Sequence, residues 1–174
     1  MNKNTTTNPC KAGRHVTYGA RAIAFLLIAG GILGMILAVQ LFRYFLHQHQ
    51  AYRTIVPTLS LVVFGWSGLK GIDLWLGKPS GFKWASILFA LQIPTFSISR
   101  LSYEFSTGIS ARILFGHSNR QFGADIGSSL NFLISPEPQG WMFGINFVAV
   151  IALVYLLLVS TRRTAVERPR IAFT

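Results

Sequence analysis

Between Leu101 and Ile134 the chain alternates apolar and polar side chains with a period of two, and it does so between long uncharged runs. From 101 to 115 the odd positions are Leu101, Tyr103, Phe105, Thr107, Ile109, Ala111, Ile113 and Phe115. The even ones are Ser102, Glu104, Ser106, Gly108, Ser110, Arg112 and Leu114. A second stretch sets Phe122, Ala124, Ile126, Leu130, Phe132 and Ile134 on one side, with Ser128 as its one break. Opposite them stand Gly123, Asp125, Gly127, Ser129 and Asn131. Successive residues of a strand point to opposite faces, so each stretch reads as a strand with one apolar side. The turn-rich linker Gly116-His117-Ser118-Asn119-Arg120-Gln121 joins them as a hairpin.

The runs around this hairpin place the chain in the membrane class. It is 51% hydrophobic and 12% charged, about half the charge of an ordinary soluble domain, and its 174 residues suit a single domain. Arg21 and Arg43 bracket the uncharged run 22–42, which has the length a helix needs to cross the hydrocarbon core. Further runs give spans at about 55–76, 84–99 and 141–160, with Pro94 expected to kink the 84–99 span or end it early. The expected fold is therefore an α-helical integral membrane protein. It has four transmembrane helices, an outward β-hairpin loop over 100–140 between helices 3 and 4, and tails at 1–21 and 161–174.

Sixteen Lys and Arg against five acids give a net charge of +11. These charges cluster at the ends of apolar runs, where anionic headgroups attract them, so nucleic acid is not expected as a partner. With both termini inside, eleven basic residues fall inside and five outside, which selects that orientation. Trp75, Trp84 and Trp141 stand at run ends, as interfacial aromatics do. The lone Cys10 excludes an internal disulfide and a multi-cysteine metal site.

The strings WSGLKGIDLWLGKPSGFKWASILFALQIP (66–94), LSYEFSTG (101–108), IGSSLNFLIS (126–135) and GINFVAVIALVYLL (144–157) resemble a group of small bacterial inner-membrane proteins. The resemblance covers about residues 55–160. It implies a four-span protein with an outward β-rich loop, and it carries over no catalytic or binding residue.

Lys70 and Asp73, three apart on one helix face, are the polar pair most open to a role inside the membrane. Their position near the inner end of the second run favours an interfacial ion pair, because Lys70 can snorkel. Gln40, Gln92 and Asn146 are amides in three different runs. Hydrogen bonding between helices is the plain role for them, and a shared polar cavity would require them to converge. Gly30 and Gly34, Gly140 and Gly144, and Ser67 and Gly71 repeat the small-x-x-x-small spacing of close helix packing. His47 and His49 read as part of a solvated linker rather than a metal site.

No phosphate-binding, nucleophile-elbow or zinc-protease motif is present, and no cofactor is expected. Glu104 and Asp125 lie on the polar hairpin face, where Arg112 and Arg120 can balance them. Ser110, Arg112, Asp125, Ser129 and Asn131 are expected on the wet face, available to a partner. Ile109, Ile113, Leu130, Phe132 and Ile134 are expected to be sheltered. The chain thus reads as a non-enzymatic membrane accessory protein whose hairpin contacts a protein partner or a second copy. A subunit of a small oligomeric transporter using Lys70 and Asp73 is the alternative.

Overall fold

The computed structural model describes residues 17–48, 54–116 and 120–167; Cys10, His49 and His117, and of the expected tails residues 1–16 and 168–174, lie outside them. Four helices, α1 (Tyr18–His47), α2 (Ile55–Trp75), α3 (Pro79–Gln92) and α4 (Phe147–Glu167), accompany β1 (Pro94–Ser106), β2 (Ile109–Gly116), β3 (Arg120–Ile126) and β4 (Ser129–Asn146). The strands make one antiparallel sheet in the order β1-β4-β2-β3.

This corrects the expected fold class. Among the described residues only α1 and α2 are long and apolar enough to cross a membrane by length and composition. The third run stops being helical at Gln92: Ile93 keeps α dihedrals, but Pro94 has no N–H with which to continue the helical ladder. Residues 94–106 then form a strand. The fourth run is divided in the same way, with 141–146 in β4 and only Phe147 onward in α4. What reads as two apolar spans around a two-stranded hairpin is two helices continued by the strands of a four-stranded sheet. Stretch 141–145 lacks polar interruption, so apolar content alone does not separate helix from strand there, whereas in 94–99 Thr95, Ser97 and Ser99 alternate with Phe96 and Ile98, a strand signal that the reading of a span over 84–99 passes over.

α1 and α2 pack antiparallel through their glycines. A Cβ on Gly31 would lie 2.8 Å from the Gly68 nitrogen, one on Gly71 would lie 2.8 Å from Ile28 Cγ1, and Gly34 leaves space for the Phe64 ring. Around their Tyr18 and Trp75 ends, α3 and α4 complete a core. It contains Ala24 and Leu27 of α1, Leu74 of α2, Ala85 and Phe89 of α3, and Ala152 and Leu156 of α4. Gly81 lets α3 lie against the Asp73–Leu74 backbone.

The β1–β4 ribbon is folded back on itself. Residues 94–97 pair with 142–145, residues 101–106 pair with 129–134, and the register shifts between the two blocks. Ser99 has φ +53 at the fold, a conformation costly for a residue with a Cβ. In a straight strand Phe96 and Tyr103 would be roughly 23 Å apart; here their rings stack at 5.5 Å. Tyr103 also donates its hydroxyl to the Leu91 carbonyl at 2.9 Å. Burial pushes this phenol above its ordinary pKa. Its contribution to stability is therefore whole below the unfolded value of about 10 and is lost as pH rises through the folded one.

The returning ribbon reaches the turn Thr107–Gly108, which is seated on α1. A Cβ at Gly30 would fall 2.5 Å from the Gly108 nitrogen, and Gly108 has φ +85. Ser128, in the β3–β4 turn, donates to the Gly30 carbonyl at 2.6 Å, and the Gly127 N–H donates to the Gly108 carbonyl at 2.6 Å. The spacing of Gly30 and Gly34 thus serves one helix contact and one turn contact. Gly140 and Gly144 lie in β4, where Gly144 makes room for Leu114.

Gly30→Ala should destabilise the protein by about 1–3 kcal/mol, because backbone rather than a flexible side chain opposes the new methyl group. Gly65→Ala should do the reverse, by about 0.5–1 kcal/mol, since its nearest obstacle is Met35 Sδ at an ordinary 3.6 Å. Thermal unfolding of the two variants in one detergent checks the opposite signs.

Candidate functional site

The polar residues that the sequence brings forward divide between two places. The first is the Trp75 end of α2. Lys70 Nζ lies 2.8 Å from Asp73 Oδ2, and Lys78 Nζ lies 2.8 Å from Asp73 Oδ1. Lys70 also stands over the Trp66 ring at 4.7 Å, Trp66 meets Trp84 edge to face at 5.4 Å, and Arg21 covers Trp75 at 5.9 Å. Cations, indoles and one doubly paired carboxylate form a belt of the kind found at a headgroup boundary. Asp73 spends both oxygens on lysines.

The second place is the base of the sheet, where α3 ends, α4 begins and the two turns meet. Gln92 is 1% exposed. It donates from Nε2 to Thr107 Oγ1 at 2.8 Å, and its Oε1 accepts the Thr107 N–H at 3.2 Å. Asn146, also 1% exposed, precedes α4. Its Oδ1 accepts the N–H groups of Ala149, as an N-cap does, and of Ala111 in β2, both at 3.4 Å. Its own N–H donates to the Ile93 carbonyl at 3.0 Å. The amides therefore serve a helix end, a helix start and a turn together. Gln92 and Asn146 converge on this base, whereas Gln40 is exposed on α1 and joins neither place.

A polar interior runs on from the base between the two blocks of the folded sheet. Arg112 is ion-paired with Glu104, and Ser129 Oγ donates to Glu104 Oε1 at 2.8 Å. Ser106 Oγ lies 3.0 Å from Ser129 Oγ. Ser110 is 1% exposed and the Arg112 side chain 11%. The buried Ser110 Oγ and Asn146 Nδ2 have no partner among the described residues.

These facts reverse the expected faces. Ser110 and Arg112 do not present a wet surface and Ser129 is half-buried, while Ile109 is exposed and Ile113 and Leu130 are only half-buried. Phe122 and Ile126 are among the most exposed side chains of the sheet, at 72% and 87%. The alternation is real, but folding the sheet over itself places its polar side inside. Asp125 lies opposite Ser110 in register, and Asn131 lies opposite Glu104. The side chains of Asp125, Asn131, Phe132 and Ile134 lie outside the described residues. Thr107 and Ser128 are the site residues that pattern reading passes over, although each is a polar break in an otherwise apolar register.

Lys70 and Asp73 do not share a path with the amides. Gln92 stands eleven residues, about 17 Å, along α3 from Gly81, which packs on the Asp73–Leu74 backbone. Among the described residues no three His, Cys, Asp or Glu side chains come together as metal ligands would. No protein-family model, curated protein or solved structure matches the chain.

Gln92→Leu should cost about 1–3 kcal/mol by leaving the Thr107 N–H buried and unbonded. Combined with Thr107→Val, the loss should fall short of the sum of the two single losses, as expected for one shared interaction. Asp73→Ala should lower the unfolding midpoint less than Gln92→Leu, and Lys70→Arg should leave it in place. Chemical denaturation of this set in detergent tests the ranking.

Proposed function

We propose that the protein is a membrane-anchored interaction protein with no chemical step of its own, presenting the folded end of the β1–β4 ribbon to a protein partner. A bacterial inner membrane with both termini on the cytoplasmic side fits the resemblance and the basic-residue asymmetry. The reading rests above all on one observation at the fold of the ribbon: Ile98, Leu101, Trp141 and Phe143 are exposed by 58%, 38%, 53% and 45%. Four large apolar side chains on one short stretch of ribbon are the kind of patch that marks a contact.

The chemistry inside the sheet supports a binding role over a catalytic one. Glu104, Arg112, Ser106 and Ser129 are engaged with one another. The partner surface is therefore placed on the apolar ribbon end and not on Ser110, Arg112 and Ser129, which the fold turns inward. Trp141 suits such a contact, since interface anchors are enriched in tryptophan.

A photoreactive phenylalanine analogue placed singly at 98, 101 and 141 in native membranes should yield one discrete protein adduct common to the three positions. The same probe at Leu33 of α1 should not. Loss of the adduct on Trp141→Ala would tie capture to the patch. Absence of any protein adduct at all three positions would overturn the reading.

A further inference from the structure

The base of the sheet sits at an unexpected level along α1. Gly30 is the ninth residue of the apolar run 22–42, so the turns seated on it lie about 12 Å from the Ala22 end and about 18 Å from the Phe42 end. The strands leave this level toward the His47 end of α1. Phe105, two residues before the turn, meets Phe64, and Phe64 covers Gly34. α4 leaves in the other direction: Tyr155 bonds Thr17 at 2.8 Å and approaches Gly19.

We infer that the base of the sheet is sunk near the middle of the bilayer beside α1, its strands rising through the outer half, with Ile109, Phe122 and Ile126 facing lipid acyl chains. The inference rests on the membrane-anchored reading and extends it: β structure expected outside the membrane begins inside it. Three observations carry it besides depth. The first is polarity: the sheet turns Ser110 and the Arg112–Glu104 pair inward and Ile109, Phe122 and Ile126 outward, the arrangement suited to apolar surroundings. The second is satisfaction of the backbone. Non-helical chain at membrane depth requires its polar groups to be bonded within the protein. Here the Thr107 N–H goes to Gln92, the Gly127 N–H to the Gly108 carbonyl and the Asn146 N–H to the Ile93 carbonyl. The third is charge placement. Arg120 begins β3 six residues from Ile126, about 20 Å in extended chain. β3 thus climbs from this level toward a residue suited to headgroups. Acyl chains are the occupant that fits all three.

The test uses full-length protein in vesicles of phosphatidylethanolamine and phosphatidylglycerol, in a Cys10→Ser background. Nitroxide is attached to single cysteines at Phe122 and Ile126 and, as references, at Leu33 and Ile36. Spin relaxation by oxygen should exceed relaxation by a water-soluble nickel chelate severalfold at all four positions. If the chelate dominates at 122 and 126 while oxygen dominates at 33 and 36, the sheet stands in water and the inference falls alone. Shielding from both agents at 122 and 126 also overturns it, since protein, a second copy included, then covers the face. Chelate dominance at 33 and 36 removes the membrane reading itself. Wild-type protein gives a second readout that no substitution can spoil. A diazirine midway along the acyl chain should label peptides containing 109–126, and labelling confined to the helices would overturn the inference.

Discussion

The structure depends on carrying a chain out of a helix and into a sheet, and back again, without leaving backbone groups unbonded. A helix ends with carbonyls that have no partner and starts with N–H groups that have none. At the base of the sheet both kinds of end come together, α3 finishing at Gln92 and α4 starting after Asn146. The Tyr103 hydroxyl and the Asn146 N–H bond the Leu91 and Ile93 carbonyls at the end of α3, and two buried amides hold the chain around them. Gln92 grips Thr107 through both its donor and its acceptor, and Asn146 caps α4 while holding β2. Either aspartate or leucine there would fail, one by bringing a charge and the other by bringing no hydrogen bond at all.

Everything on either side of the base follows from where it is anchored. Gly30 admits the Thr107–Gly108 turn against α1, and Ser128 bonds its carbonyl. The helices on one side share a core of small and branched side chains running from Ala20 to Leu156. On the other side the ribbon returns on itself at Ser99, so that two blocks of strand enclose a polar interior. An ion pair inside such an interior contributes less to net stability than its geometry suggests, because desolvation offsets the attraction. Its more evident effect is on position, since Glu104 and Arg112 tie β1 to β2, two strands that do not pair directly in the sheet.

The belt around Asp73 and the base around Gln92 have different chemical characters and different tasks. The belt is charged, aromatic and partly open, which suits a boundary between water and lipid. The base is neutral, buried and bonded through amides and hydroxyls, which suits surroundings where a charge would be costly. Sorting the polar residues between these two environments explains why the amides converge while Lys70 and Asp73 remain apart from them.

Much of this was legible in the residue order. The uncharged runs 22–42 and 55–69, the Lys70–Asp73 pair, the strand character of 101–115 and 122–134, and the stop at Pro94 follow from periodicity, charge and backbone chemistry that act over a few residues. The even-numbered face of β2 was recognised correctly as polar. Its burial was not legible, because alternation specifies that two faces differ and leaves open which one is covered. That choice was made by the return of the ribbon at Ser99, which depends on pairings between residues more than thirty positions apart. The same holds for the division of the last apolar run into strand and helix. In 141–145 apolar residues satisfy either periodicity once both faces are covered, and only pairing with β1 and β2 decides between them, whereas in 94–99 the alternation of Thr95, Ser97 and Ser99 with Phe96 and Ile98 was legible as a strand. Even the breaks at Thr107 and Ser128, visible in the pattern, acquired meaning only when the fold brought Gln92 and Gly30 against them.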